Sequence, residues 1–124
     1  MPVLNMQIMQ GHSTAQKAQL LQNCSQAVVD SIAAPLPSVR IVLKEVAAEH
    51  VIVAGEIGKP MALVIARLIE GRTPEKKAAL IAAVSRAVHH SLDISEQDVR
   101  VIVTDVPKTD MGVAGGLTAL AAGR

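Results

Sequence analysis

An internal repeat is the feature that most constrains how this chain can fold. The sequence of 124 residues matches itself without a gap when it is displaced by sixty positions. Chance coincidence of apolar residues would not also keep polar and glycine positions in one register. The chain is therefore predicted to be a single domain made by duplication, with a first unit at residues 1–58 and a second at residues 61–124. Identical pairs include Gly11 and Gly71, Lys17 and Lys77, Ser25 and Ser85, Arg40 and Arg100, and Gly55 and Gly115.

Both units show the same order of predicted elements. Apolar runs predict two strands in each unit, and an apolar stripe of helical period predicts a helix between them. Ser13 with Gln16 forms a capping-box pattern before the first helix, and Thr73 can cap the second. The expected elements are Val3–Met9, Thr14–Ile32, Val39–Val46, Ala62–Ile69, Pro74–Leu92 and Val99–Val106, with a short linker at 56–60.

The strand–helix–strand order in each unit indicates a parallel strand pair with a right-handed crossover. The predicted fold is α/β (α+β), with two tandem β-α-β units that form a four-stranded sheet and two helices on one face. The first strand of each unit reads as apolar on both faces, although the helices cover only one. Exposed apolar surface costs about 25 cal/mol per Å². We therefore expect a homo-oligomer.

Composition and charge exclude several classes of function. The formal net charge is +1 and the chain has no Phe, Tyr or Trp, which argues against nucleic acid and acidic membranes as partners. Cys24 is the only cysteine, so no internal disulfide can form. No segment reads as a signal peptide or as a membrane span, so the expected location is the cytoplasm. His89 and His90 are adjacent on a helix and point in different directions, and no metal site is expected.

Several motifs together resemble the 4-oxalocrotonate tautomerase family of the tautomerase superfamily. They are the start Met1-Pro2-Val3, the turns IMQGHSTAQK and LIEGRTPEKK, the strands SVRIVLKEV and DVRVIVTDV, and the loops HVIVAGE and DMGVAGG. The resemblance covers nearly the whole chain, once per unit. It is to the fused members, in which two units are joined and three chains form a trimer. It implies a trimeric isomerase that needs no cofactor, of the kind used in aromatic degradation.

The resemblance implies that Pro2 is the catalytic base. An N-terminal proline has a free secondary amine, provided that Met1 is removed. Burial and neighbouring cations disfavour the protonated amine and lower its pKa. Such an amine can take a proton from one atom and return it to another. The alternative is that Pro2 only begins a strand, where proline is tolerated.

The resemblance also implies arginines that hold a small anionic carboxylate substrate. Arg72 matches the family's turn arginine, whereas the first unit has His12 there. Arg40 and Arg100 both match its strand arginine, and which of them serves Pro2 is open. Ala62 stands where the second unit would carry a proline. We expect one site per chain, with Pro2 from one unit and Arg72 from the other, within or across a chain boundary. The alternative for each arginine is a solvated surface charge.

Departures from the family pattern keep other functions open. Val51 and Met111 occupy the position where the family often has an aromatic residue. The additional arginine and loop acid of the dehalogenase relatives are replaced by Met9, Ile69, Val53 and Val113. The predicted function is therefore a tautomerase of a 2-hydroxy-dienoate or enol acid such as 2-hydroxymuconate. The alternatives are a haloacrylate dehalogenase or hydratase, and a non-catalytic oligomer. His12 and His50 are further candidates for contact with an anionic substrate.

Overall fold

The structure is a computed structural model that describes residues 1–124. Five of the six predicted elements have the predicted bounds, and the sixth begins one residue later because Val39 closes a short 3-10 turn at Leu36–Ser38. Part of the predicted linker forms one strand of a small hairpin. The elements are β1 Val3–Met9, α1 Thr14–Ile32, β2 Arg40–Val46, β3 Ile52–Val53, β4 Glu56–Ile57, β5 Ala62–Ile69, α2 Pro74–Leu92 and β6 Val99–Val106.

The ends of both helices follow from local sequence. The Ser13 hydroxyl accepts a hydrogen bond from the Gln16 backbone N–H at 3.1 Å, and the Gln16 side chain accepts one from the Ser13 N–H at 2.9 Å. This is the predicted capping box of α1. Thr73 caps α2 by accepting from the Lys76 N–H at 3.2 Å. Both helices end at a residue in the left-handed conformation, Ala33 for α1 and Asp93 for α2.

The four long strands form one sheet in the order β2-β1-β5-β6. Each unit contributes the expected parallel pair, whereas the central strands β1 and β5 are antiparallel. Val3 lies opposite Arg67, and Gln7 lies opposite Leu63. The start of β1 and the end of β5 therefore lie at the same end of the sheet. This register brings the amino terminus and the turn after β5 together.

Both helices pack on one face of the sheet and share one apolar core. The fully buried residues come from both units and alternate along the strands, as expected for a face that is covered by helices. They include Leu4, Met6, Leu20, Cys24, Val28, Val64, Leu68, Leu80, Val84 and Val88. The core thus holds the two units in a fixed relation.

The opposite face of the sheet is open. Val42 and Ile102 are 60% and 50% exposed at its edges, and Ile65 is half-buried near its centre. The expectation that both first strands are apolar on both faces is wrong for β1, because Asn5 and Gln7 point to this open face. It holds for most of β5, where only an arginine interrupts the apolar residues. No helix of the chain is long and apolar enough to cross a membrane.

Candidate active site

Pro2 lies directly before β1 and is fully buried. Its carbonyl oxygen accepts a hydrogen bond from the Arg40 backbone N–H at 3.1 Å, which ties the amino terminus to β2. Proline is tolerated at this position because the residue directly before a strand does not need to donate a backbone hydrogen bond to the sheet. The free α-amine in this structure belongs to Met1, so the nitrogen of Pro2 is an amide. Removal of Met1 would transfer the amine to Pro2.

Arg72 reaches the amino terminus from the second unit of the same chain. The strand β5 ends at Ile69, and the turn that follows contains Gly71 with a φ of +118°. Arg72 donates a hydrogen bond to the Ile69 carbonyl oxygen at 3.3 Å. Arg72 and Met1 line one cavity of about 300 Å³, together with Pro35, Ser38, Ile69, Glu70, Lys108 and Arg124. The two units therefore meet at this cavity within one chain.

Arg40 also lies near Met1. Its guanidinium donates to the carbonyl oxygens of Pro37 at 2.7 Å and Val39 at 3.2 Å. A second cavity of about 350 Å³ is lined by Met1, Pro35, Pro37, Ser38, Arg40, Ala114 and Arg124. The two cavities share several residues and lie side by side. We call them together the amino-terminal pocket.

Arg100 does not reach the amino-terminal pocket of its own chain. It lies opposite Leu63, near the start of β5, and Leu63 in turn lies opposite Gln7. Val3 is four residues away from Gln7, or about 13 Å along the strand. His12 follows the end of β1 and therefore also lies at this far end of the sheet. His50 lines a separate cavity of about 250 Å³ there, with Gln7, Ile8, Val46, Val51, Ile52 and Met61.

An apolar cluster forms one wall beside the amino-terminal pocket. Ile69, Val113 and Ala119 are buried, and Met1, Met111 and Ala122 pack against them. Met111 thus lies on the side of the amino terminus, whereas Val51, its equivalent in the first unit, lies at the far end. These apolar side chains partly cover Met1.

Burial and positive charge act together on the terminal amine. Burial lowers the pKa of the Met1 α-amine most, and the guanidinium groups of Arg72 and Arg124 lower it further. Both effects disfavour the charged ammonium form. The arrangement favours a neutral amine, which is the form that can accept a proton.

The residues Glu70, Lys108 and Arg124 line this pocket but were missed by the reasoning from sequence. The Lys108 backbone N–H donates to the Glu70 carboxylate at 3.3 Å. For Glu70 and Lys108 the sequence contains a signal, because the first unit has neutral residues at the equivalent positions of the repeat. Gln10 corresponds to Glu70 and Ala48 corresponds to Lys108. The two similar ends of the sheet therefore differ in charge at these equivalent positions.

The comparisons with known proteins agree with this architecture. The family model described as tautomerase enzyme matches the chain twice, over residues 2–59 and 63–120. The chain belongs to the tautomerase family. It is similar to the 2-hydroxymuconate tautomerase of Stutzerimonas stutzeri, with 47% identity over 57 residues, which are 46% of this chain and 89% of that protein.

Solved structures resemble the whole chain. A fused 4-oxalocrotonate tautomerase (4-OT) described as a wild-type symmetric trimer is 61% identical, with a TM-score of 0.96 and coverage of 98% of this chain and 99% of that one. A protein solved after inactivation by 2-oxo-3-pentynoate is 43% identical, with the same TM-score and the same coverage. The chain is thus a fused member of the 4-OT family and an isomerase, and its α+β fold is the predicted one.

Proposed function

We propose that this isomerase is a cofactor-independent keto–enol tautomerase with the amine of Pro2 as its base. Its substrate is a small 2-hydroxy-dienoate or enol acid such as 2-hydroxymuconate. The observation that carries this proposal is the position of the amino terminus: Met1 lines one cavity with Arg72 and a second with Arg40, and its amine is partly buried beside Arg72 and Arg124. The similarity to 2-hydroxymuconate tautomerases supports the choice of substrate class.

The proposed reaction is a proton transfer within the substrate. After removal of Met1, the neutral Pro2 amine accepts the proton of the substrate's 2-hydroxyl group. The electrons of the O–H bond form the carbonyl, the double bonds shift along the diene, and the protonated amine returns its proton to a carbon of the chain. Because one group both accepts and donates the proton, its pKa must lie near the working pH. Burial and nearby cations shift an amine in that direction.

The arginines orient the substrate and stabilise its charge. A planar guanidinium binds a carboxylate through two parallel hydrogen bonds. Arg72 is placed to hold a carboxylate on one side of the amine, and Arg40 on the other. Either of them can also stabilise negative charge on the oxygen at C2 as the proton leaves it. Arg100 can serve the Pro2 site only from a neighbouring chain, since in its own chain it lies at the far end of the sheet.

We propose that the working assembly is a homotrimer. Apolar residues on the open face of the sheet, among them Val42, Ile65 and Ile102, would be buried by association. The similar structure that is described as a symmetric trimer supports this stoichiometry. A trimer would also bring arginines of one chain towards the pocket of another.

The decisive experiment is the ketonisation of 2-hydroxymuconate, followed by its ultraviolet absorbance. Intact mass must first establish that Met1 is absent. The wild-type chain should convert the substrate, and Pro2→Ala, which replaces the secondary amine by a less basic primary amine with a different geometry, should lose most of the activity. Pro60→Ala is a suitable control for the loss of a proline, because Pro60 is exposed and lines neither cavity of the amino-terminal pocket. No conversion by a chain with a free Pro2 amine would overturn the proposal and favour a non-catalytic role.

A covalent probe gives a second readout of the same amine. The similar protein inactivated by 2-oxo-3-pentynoate supplies the reagent. The amine adds to the β-carbon of the alkynone and the α-carbon takes up a proton, so the protein gains the whole mass of the reagent. The adduct should map to the nitrogen of Pro2, which should carry none in a chain that retains Met1 because that nitrogen is then an amide. An adduct elsewhere would contradict the proposed base.

A further inference from the structure

We propose that Arg124 binds a substrate carboxylate at the junction of the two cavities of the amino-terminal pocket, and that this selects for an extended dicarboxylate. The inference rests on the proposed function, because it concerns the same pocket. Neither the repeat nor the resemblance pointed to this residue.

The position of Arg124 differs from that of every other cation in the pocket. Arg72 and Lys108 line only the first cavity, and Arg40 lines only the second. Arg124 lines both, together with the uncharged side chains of Pro35 and Ser38 and with Met1. A substrate that extends from one cavity into the other past the terminal amine would therefore pass Arg124.

The backbone holds Arg124 in place although its side chain is exposed. The Arg124 N–H donates to the Ala119 carbonyl oxygen at 2.9 Å, and the Gly123 N–H donates to that of Leu120 at 3.1 Å. Ala119 is itself fully buried in the apolar cluster beside the pocket, and its N–H donates to the Met111 carbonyl oxygen at 2.8 Å. The last turn of the sequence is thus anchored to the wall of the pocket.

The guanidinium of Arg124 is free to bind a ligand. The ion pairs of the chain involve Lys17, Lys59 and Lys77, and none involves an arginine. Arg72 and Arg40 donate to backbone carbonyl oxygens nearby, whereas Arg124 makes no side-chain hydrogen bond. An unpaired guanidinium gains more from a carboxylate ligand than one that must first give up a protein partner.

The balance of charge indicates the class of ligand. Among the side chains that line the pocket, those of Arg40, Arg72, Lys108 and Arg124 are cationic and only that of Glu70 is anionic. A concave site lined by one sign of charge raises the local concentration of ligands of the opposite sign. Each of the two cavities has its own cationic side chains, and Arg124 lies where they join. This arrangement suits a ligand with a carboxylate at each end better than a monocarboxylate.

The test measures equilibrium binding of muconate, the dicarboxylate diene without the 2-hydroxyl group, by calorimetry at low ionic strength. Muconate has no hydroxyl proton to transfer, so its binding is independent of turnover. Arg124→Gln should weaken binding about tenfold, as expected for the loss of a partly exposed charged hydrogen-bond donor. Arg124→Lys should recover part of the affinity. Arg86→Gln, which removes an exposed arginine from the outer surface of α2, should stay within about twofold of wild type.

Kinetics with 2-hydroxymuconate separate binding from chemistry. Arg124→Gln should raise KM by a similar factor and leave kcat within about twofold, because a carboxylate contact is made in both the ground state and the transition state. Unchanged muconate affinity and KM in Arg124→Gln would overturn the role of Arg124 and leave a Pro2-dependent tautomerase intact. Muconate binding that depends on Arg124 in a chain without turnover would overturn the proposed function and retain the dicarboxylate site. No muconate binding by wild type would overturn the inference.

Discussion

Arg40 and Arg100 make the same hydrogen bonds at opposite ends of one sheet. Each guanidinium donates to a carbonyl oxygen three residues earlier at 2.7 Å and to the preceding carbonyl oxygen at 3.2 Å. The two residues occupy equivalent positions of the repeat, and the antiparallel pairing of β1 with β5 sends them to different ends. The local hydrogen bonds of the two arginines are thus the same, whereas the residues brought near them by the tertiary structure differ.

Arg72 and His12 provide a matched pair for testing which end of the sheet is active. Arg72→Gln should lower kcat/KM by about 10²-fold, the usual effect of removing a donor that stabilises developing negative charge. His12→Gln changes the equivalent residue at the far end and should leave the rate within about twofold. Steady-state kinetics with 2-hydroxymuconate check both. Equal losses in the two variants would contradict the assignment of the site to the amino-terminal pocket.

The pH dependence of the reaction should follow the charge beside the amine. Arg72 lowers the pKa of the Met1 α-amine, after the larger effect of burial. The same charge should act on the Pro2 amine once Met1 is removed. In the proposed mechanism the neutral amine is the active form, so the rate should rise as pH increases through the pKa of that amine. Removing the positive charge in Arg72→Gln favours the protonated amine and raises its pKa, which moves the acid limb of kcat/KM to higher pH. A shift to lower pH would mean that the titrating group is not the amine.

Mixed assemblies can show whether one site is built from one chain. Arg72 and the amino terminus line the same cavity within a chain. Pro2→Ala and Arg72→Gln chains that are dissociated, mixed and reassembled should therefore recover no activity, since every site retains one defect. If Arg100→Gln lowers activity, mixing with Pro2→Ala chains should restore part of it. The Pro2→Ala chains supply Arg100 to the neighbouring sites that retain Pro2, because Arg100 does not reach the site of its own chain. Recovery in the first mixture would place Arg72 across a chain boundary.

The open face of the sheet should be the surface through which chains associate. Ile102 is 50% exposed at the centre of β6 on this face. Ile102→Glu places a charge in the proposed interface and should produce monomers at micromolar concentration, because burying an unpaired charge is costly. Ile81→Glu changes an isoleucine that is 38% exposed on α2 and should leave the assembly unchanged. Light scattering after size-exclusion chromatography distinguishes the two. An intact assembly in Ile102→Glu would require another interface.

Cys24 offers a probe of opening of the core. The thiol is fully buried, and burial raises its pKa to about 12. Because the thiolate is the reactive form, a disulfide reagent at pH 8 should label the folded protein slowly and the denatured protein at once. The folded-state rate should rise in Leu80→Ala, which opens a cavity in the same core at a cost of about 2–5 kcal/mol. Rapid labelling of the native wild type would show that the face of α1 that carries Cys24 is not packed into the core.

The left-handed end of α1 predicts opposite effects for the same substitution at two sites. Ala33 has a φ of 55°, where residues other than glycine are strained. Ala33→Gly should increase the free energy of unfolding by about 0.5–1 kcal/mol, since relief of strain exceeds the added chain entropy. Ala18→Gly, at an exposed position inside α1, should decrease it by about 0.5–1 kcal/mol. Unfolding followed by circular dichroism at equal protein concentration measures both changes in the free energy of unfolding. If both substitutions changed it in the same direction, the explanation would be refuted.

The sequence by itself determined the elements of this protein. The repeat, the apolar periods and the capping residues Ser13 and Thr73 act over a few neighbouring residues, so they set the helices and strands almost to the residue. The resemblance carried jointly by the start of the chain, the turn with Arg72 and the strands with Arg40 and Arg100 predicted the family. The expectation for β1 was wrong at Asn5 and Gln7, because the apolar residues on either side of each make the segment apolar on average although its outward positions are polar.

Only the tertiary structure decided where equivalent residues lie. A periodic pattern contains no information on whether the first strands of the two units pair parallel or antiparallel, and that choice places Arg72 beside Met1 and Arg100 at the far end. The same holds for Met111 and Val51, of which only Met111 lies beside the amino terminus. Arg124 has no partner in the repeat, and contacts between distant segments alone bring it to the pocket. Long-range packing of two similar units thus gave the two ends of the sheet different surroundings, with the terminal amine, Arg72 and Arg124 together at only one of them.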